Sequence, residues 1–274
     1  MIFILSLILL GAAVGAFGTL IGAGGGFILV PVLLLLYPNA EPESITAISL
    51  GVVFFNSFSG SIAYSKMKRI DYKSGWLFAA ATLPGAIIGA ATTDLIPRHI
   101  FNGIFGVLMV VAASYLLIRR RIVIKSNLDN SNSRWIAHQH LTEADGTTHD
   151  FSYDLRPGLF ISLVIGYIST LLGIGGGIIH VPALSRILNF PVHIATATSH
   201  FILAIMALAG TLVHYFSGSF AQDGIERTLW IGIGAVIGAQ LGAKLSSKVR
   251  SEWILNSLAI ALGIAGLRIG ISAL

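Results

Sequence analysis

The stretch "GAGGGFILVP" runs from Gly22 to Pro31, and "GIGGGIIHVP" runs from Gly173 to Pro182. Seven of the ten positions are identical, at an offset of 151 residues. Each glycine lowers helix stability, so three in succession are a costly choice inside an apolar segment. The surroundings are apolar throughout: 55% of the 274 residues are hydrophobic and 11% are charged, with a mean hydropathy of +0.84. A water-soluble domain carries about 25% charged residues. Lipid is therefore the expected solvent, and the cassettes are expected to interrupt membrane helices.

A membrane helix needs about 20 mostly apolar residues. Eight such segments can be drawn, at 1–36, 44–65, 74–94, 98–119, 157–189, 194–216, 228–245 and 252–273. The first and fifth are longer than one crossing needs, and they hold the cassettes. Each reads either as one long tilted helix or as a helix, a break and a half-helix. The first run has no basic residue ahead of it, which argues against a cleaved signal peptide and for a retained first segment.

The stretch from Arg119 to Arg156 holds eleven of the 29 charged residues, basic at its start and acidic at its end. It shows no apolar periodicity and reads as a mobile linker outside the bilayer. The chain thus divides into a first four-segment unit (1–119), a polar cytoplasmic linker (120–156) and a second four-segment unit (157–274). The units match beyond the cassettes. "TAISL" at 46–50 aligns with "TATSH" at 196–200, Gly60 with Gly210, and "PGAIIGA" at 84–90 with "IGAQLGA" at 237–243. The expected fold is an all-α polytopic membrane protein of about eight transmembrane segments, in two homologous repeats that each open with a glycine-interrupted helix. Internal repeats of this kind are common in transporters, whose sites lie at the repeat interface.

Basic residues indicate sidedness. Lys66, Lys68, Arg69 and Lys73 lie in one loop, and three arginines open the linker. Both should be cytoplasmic, and alternation then places the N-terminus there too. Continued alternation puts Lys244, Lys248 and Arg250 outside, against the rule. A non-crossing excursion at one cassette would reverse that, so parallel and inverted repeats both stay open.

An unwound backbone in a membrane must face protein or a water-filled cavity. At Gly24–Gly26 and Gly175–Gly177 a ligand can approach the backbone amides directly, and a helix restarting there aims its positive end at an anion. Close helix packing through small residues is the alternative. Pro31 and Pro182 fall in the restarted helices. Thr46 and Ser49, like Thr196 and Ser199, share a helix face and can offer hydroxyls to an oxyanion, or bond their own helix. Asn56 is a weaker candidate, because its partner position is apolar. His180, His200 and His214 stand where the first half has Leu29, Leu50 and Tyr64. An intramembrane histidine can carry protons, or be a neutral hydrogen-bonded bundle residue. His138, His140 and His149 are too loosely arranged to imply a metal. "GAIIG" at 85–89 and "GAQLG" at 238–242 read as packing faces. The glycine cassette lacks the pattern of a dinucleotide site, and no cofactor, catalytic residue or nucleic-acid partner is indicated.

The paired cassettes ending in Val-Pro, the Thr-x-x-Ser after each, and the charged central linker resemble the TauE/SafE family, the sulfite exporter or toluene-sulfonate uptake permeases. The resemblance covers nearly all of the chain outside 120–155. It implies an inner-membrane protein of about eight spans that moves small sulfur-containing or organic anions, with the anion held around Gly24, Gly25, Gly26, Pro31, Thr46 and Ser49 and their matches Gly175, Gly176, Gly177, Pro182, Thr196 and Ser199. His180 and His200 depart from an even repeat and are added as candidate substrate or proton ligands. The resulting expectation is a secondary transporter, not an enzyme, driven by an ion gradient with protons as a candidate coupling ion. The alternatives are a membrane subunit or assembly factor without transport of its own, and an intramembrane enzyme using His200 beside Ser199.

Overall fold

Ile2–Ile21 forms the first helix, α1, and it stops where glycine permits backbone that other residues avoid. Gly22, Gly24 and Gly25 have φ of 84°, 75° and 86°, in the left-handed region. The chain restarts as α2 (Gly26–Leu36) with Gly25 as its N-cap. The second cassette repeats this: α6 (Leu155–Leu172) ends, Gly173, Gly175 and Gly176 take φ of 69°, 78° and 70°, and α7 (Gly177–Pro182) begins. Both overlong segments are thus a helix, a break and a half-helix. The computed structural model describes residues 2–117, 134–220 and 223–246, with 259–260, 262–264 and 266–270.

The remaining helices are α3 (Pro42–Lys66), α4 (Tyr72–Ala91), α5 (Arg98–Leu117), α8 (Val192–Phe216) and α9 (Gly224–Ser246). Among the described residues, six helices are long and apolar enough to cross a membrane: α1, α3, α4 with the turn after it, α6, α8 and α9. α2 has 11 residues, about 16 Å, near half of the ~30 Å hydrocarbon core. Most of the expected eighth segment, 252–273, lies outside the described residues.

Small residues set the packing. A β-carbon added at Gly234, Gly238 or Gly242 would strike the carbonyls of Ile8, Ala12 and Ala16. These pairings rise together along both chains, so α1 and α9 run parallel, with backbones in contact. Gly85 and Gly89 meet Leu163 and Tyr167 in the same way, making α4 parallel to α6. "GAIIG" and "GAQLG" are therefore packing faces. Gly51 meets Thr228, Gly232 meets Phe55, and Gln240 Nε2 donates to the Ser59 carbonyl at 2.8 Å, so α3 is parallel to α9. Gly60 meets His200 and Gly210 meets Leu50, so α3 and α8 are antiparallel. It follows that α1, α3 and α9 point one way and α4, α6 and α8 the other. Large apolar side chains such as Phe17, Ile88, Phe160 and Leu241 remain exposed on the outer faces, where lipid would cover them.

These directions correct the expected topology. α1 and α3 are parallel, so α2 must bring the chain back to the face where α1 began. Arg227, in the first turn of α9, indeed stacks 4.3 Å over the Tyr37 ring at the end of α2. The N-terminal end of α1 therefore lies opposite the loop 67–71, not on the same side as expected. The C-terminal end of α9, with Lys244, lies on the side of that loop, which removes the conflict in the basic residues; Lys248 and Arg250 lie outside the described residues.

The linker needs a second correction. Residues 118–133 lie outside the described part, but Ile136–Thr142 (β1) and Thr148–Asp154 (β2) form an antiparallel hairpin, so the chain is mostly rather than wholly helical. Gly146, with φ of 89°, closes the turn after Asp145, whose carboxylate accepts from the Thr147 amide at 2.9 Å. That bond holds the Asp145 carboxyl below its usual range. Residue alternation turns Phe151 and Tyr153 inward against Phe190, with ring centroids 4.6 and 4.9 Å away. Phe78, Leu184, Leu188 and Ile194 complete this cluster. Arg69 Nε donates to Glu143 Oε2 at 2.5 Å, and the Ala144 amide donates to the Met67 carbonyl at 3.0 Å. Asp71 caps α4 and accepts from the Ser74 hydroxyl, which also meets the Tyr153 hydroxyl. Burial pushes the Tyr153 phenol up to about 12. The hairpin is thus a docked clasp over one face of the bundle.

Candidate functional site

The two breaks meet at the centre of the helix bundle. A β-carbon on Gly26 would stand 2.5 Å from the Gly173 carbonyl oxygen, and one on Gly177 would stand 2.6 Å from the Ala23 α-carbon. Only glycine allows this backbone-on-backbone crossing. Residues 21–27 and 171–178 are all buried. Among the described residues, the amides of Gly25, Gly26 and Phe27, and those of Gly175, Gly176 and Ile178, donate no backbone hydrogen bond. Buried amides without partners are rare, so this is a concentration of unused donors.

The flanking hydroxyls cross between the halves. Ser49 Oγ donates to the Gly173 carbonyl at 2.6 Å, and Ser199 Oγ donates to the Gly22 carbonyl at 3.3 Å. Each serine serves the cassette of the other half, not its own helix. Thr196 also stands against Gly22, and Thr46 against Gly173. The Thr46 hydroxyl is buried and without a partner. Pro31 sits inside α2, which runs on to Leu36. Pro182 ends α7, and the chain then widens into a π turn over Ala183–Ile187.

The histidines separate. His180 Nε2 meets Ser162 Oγ at 3.2 Å, joining α7 to α6. His214 pairs with Ser219 at 3.1 Å, at the far end of α8. His200 is different. Its Nε2 lies 3.2 Å from Thr19 Oγ1, which donates to Asn56 Oδ1 at 2.9 Å. Tyr64 closes the group by donating to the Thr19 carbonyl at 2.8 Å. All four side chains are buried. On the hairpin, His138 and His140 are surface residues paired with Ser152 and Asp150. Among the described residues no cluster of three His, Asp or Glu is placed to hold a metal.

Sequence reasoning missed Thr19 and Ser57. The signal for the first was present: "TLIGAGGG" at 19–26 matches "TLLGIGGG" at 170–177, a threonine repeated just ahead of the cassette. Ser57 has no such mark, because Ala207 is its counterpart.

Comparison with known proteins identifies a family. The profile of the family described as Sulfite exporter TauE/SafE matches residues 7–269. The chain is 34% identical over 218 residues to "Probable membrane transporter protein YunE" of Bacillus subtilis, covering 77% of this chain and 78% of that protein. A protein of Methanocaldococcus jannaschii named as a probable membrane transporter is 27% identical over 218 residues, covering 78% and 72%. One from Haemophilus influenzae is 25% identical over 219 residues, covering 79% and 74%. No solved structure matches. A match over nearly the whole length, joined to six membrane-length helices among the described residues, two of which run into the glycine breaks, leads to one conclusion: the chain belongs to the sulfite exporter TauE/SafE family and is a multi-pass membrane transporter.

Proposed function

We infer that this transporter moves a small oxyanion, sulfite or an organosulfonate, through a site between the two glycine cassettes. The observation that carries the reading is the meeting of two helix breaks at which six buried amides donate no backbone hydrogen bond. Amide donors and the positive end of α2 favour an anion without the fixed charge that would trap it. The family's printed description points to the same substrate class.

The halves act as two inverted repeats. The sequence-matched helices α1 and α6, α3 and α8, and α4 and α9 run in opposite directions, as inverted-topology transporters require. Among the described residues, each half contributes one inward-and-back pair at its cassette, followed in the first half by α3, α4 and α5 and in the second by α8 and α9. The face with the loop 67–71, the hairpin and Lys244 is the cytoplasmic face of the inner membrane, by its excess of basic residues. Alternating access then requires the crossed cassettes to part toward one face at a time. His200, buried beside the first cassette, is the candidate group for proton coupling.

The test is flux. Purified protein in liposomes, given sulfite and sulfoacetate with and without a pH gradient, is expected to move at least one of them. Gly25→Val and Gly176→Val, retained in the membrane in folded form, should abolish that flux. Normal flux in both variants would remove the site from the cassettes.

A further inference from the structure

The geometry points to Asn56 as the main side-chain ligand of the transported anion, with Ser57 beside it and Thr19 and His200 as positioning residues. The inference rests on the proposed anion site and adds where in that site the anion sits.

One face of α3 looks onto the cassettes. Val53, Asn56, Ser57 and Gly60 lie three or four residues apart and so share a side of the helix. Val53 stands against Gly24, Gly26 and Gly175, Ser57 Oγ lies 3.2 Å from where a Gly24 β-carbon would be, and Gly60 stands against His200. Between Val53 and Gly60 two polar groups on this face have no partner: Asn56 Nδ2 and Ser57 Oγ, both fully buried. A buried donor left unpaired is costly, so its retention in a protein core calls for a ligand.

The orientation of the Asn56 amide is set from behind. Thr19 gives its hydroxyl proton to Asn56 Oδ1, so its oxygen is left to accept from His200 Nε2–H. The chain of donors His200 → Thr19 → Asn56 occupies the amide oxygen and leaves the Nδ2 hydrogens unused. An acceptor-rich ligand, which a sulfite or sulfonate is, completes the network, whereas the Nδ2 hydrogens would repel a cation. The matching face of α8 carries Leu203, Met206 and Ala207, which cluster with Val53 as an apolar group. Of these two matched faces α3 therefore supplies the polar one, and the anion sits off the centre of the molecule, toward α3.

Flux kinetics of sulfite and sulfoacetate in liposomes test this. Asn56→Asp keeps the shape and replaces the donor by an acceptor. It should raise KM at least tenfold. Ser57→Ala should raise KM severalfold. Thr19→Val, which releases the amide, should also raise KM severalfold with kcat changed less. Thr170→Val is the paired control, because Thr170 Oγ1 bonds only backbone carbonyls, Ala86 and Gly166 at 2.9 Å each and Tyr167 at 3.4 Å, and its KM should stay at the wild-type value. If Asn56→Asp fails to fold, the comparison of Thr19→Val with Thr170→Val decides. Unchanged KM in Asn56→Asp and Thr19→Val, while Gly25→Val and Gly176→Val are inactive, overturns the Asn56 assignment and leaves the anion site standing. Normal flux in the glycine variants, or no flux of either anion in the wild type, overturns both.

Discussion

Ser49 Oγ reaches across the bundle to the carbonyl of Gly173, 124 residues away, at 2.6 Å, and Ser199 returns the contact to Gly22 at 3.3 Å. Each half closes the open backbone of the other. Removing the hydroxyl leaves a buried carbonyl short of a partner, a loss of about 1–3 kcal/mol. Ser49→Ala should therefore destabilise more than Ser199→Ala, whose bond is longer. Thermal unfolding in detergent, followed as the monodisperse fraction, measures both. Equal or reversed losses would show that these bonds do not hold the cassettes.

The glycine crossing predicts a separation of sites. Gly26→Ala and Gly177→Ala press a methyl group into the backbone of the opposite cassette, and transport should fall by at least an order of magnitude in each. Gly146→Ala, in the hairpin turn, meets no neighbour within 4 Å and carries only the roughly 1–2 kcal/mol of a left-handed alanine. Its flux should match wild type. An active Gly26→Ala would mean the cassettes are not packed in the working protein as they are here.

The clasp depends on an enclosed ion pair, Arg69 and Glu143, whose side chains are 11% and 5% exposed. His149 bonds the second Glu143 oxygen at 2.9 Å. Breaking such a pair from one side costs about 3–5 kcal/mol, because the remaining charge is stranded. Glu143→Gln should loosen the hairpin and expose it to limited proteolysis. Arg69→Met in the same chain should restore much of the protection. Equal cleavage of the single and double variants would argue against the pair as the anchor.

Tyr153 adds a pH window. Its phenol titrates near 12 when docked, against 10.0 when free. Between these values the undocked form has lost its proton and the docked form has kept it, so docking weakens as pH rises from about 10 to about 12. Below 10 the contribution is fully present. The tyrosinate absorbance of wild type minus that of Tyr153→Phe isolates this one titration. A midpoint near 10 would show that Tyr153 is not enclosed.

The sequence carries the helix breaks plainly, because left-handed backbone is cheap only for glycine and both cassettes concentrate it. Ser49 and Ser199 are equally visible as matched residues, but their crossed partners are not, since a bond between positions 49 and 173 leaves no local trace. The direction of α2 is hidden for another reason. Phe27 to Leu36 is apolar whether it crosses or returns, and that ambiguity puts the N-terminus on the wrong face. The hairpin is a misreading of charge. "EADGT" is a hairpin turn between alternating strands, yet the surrounding acidic and basic residues suggest solvated chain. Asn56 looks weak in an alignment of halves because it has no twin, and the asymmetry is what makes it informative.

The parallel contact of α1 with α9 has a consequence for biogenesis. The glycine and alanine face of α1 meets its partner only when Gly234 has been made, more than two hundred residues after Ile8. At about 5–20 residues per second, α1 waits roughly 10–45 seconds in the membrane with that face against lipid or the insertion machinery. α4 and α6 are separated by a shorter wait and can join first. The second half of the chain thus templates the final seating of the first, and truncation before α9 would leave α1 joined to α3 but with its glycine and alanine face uncovered, a substrate for membrane quality control.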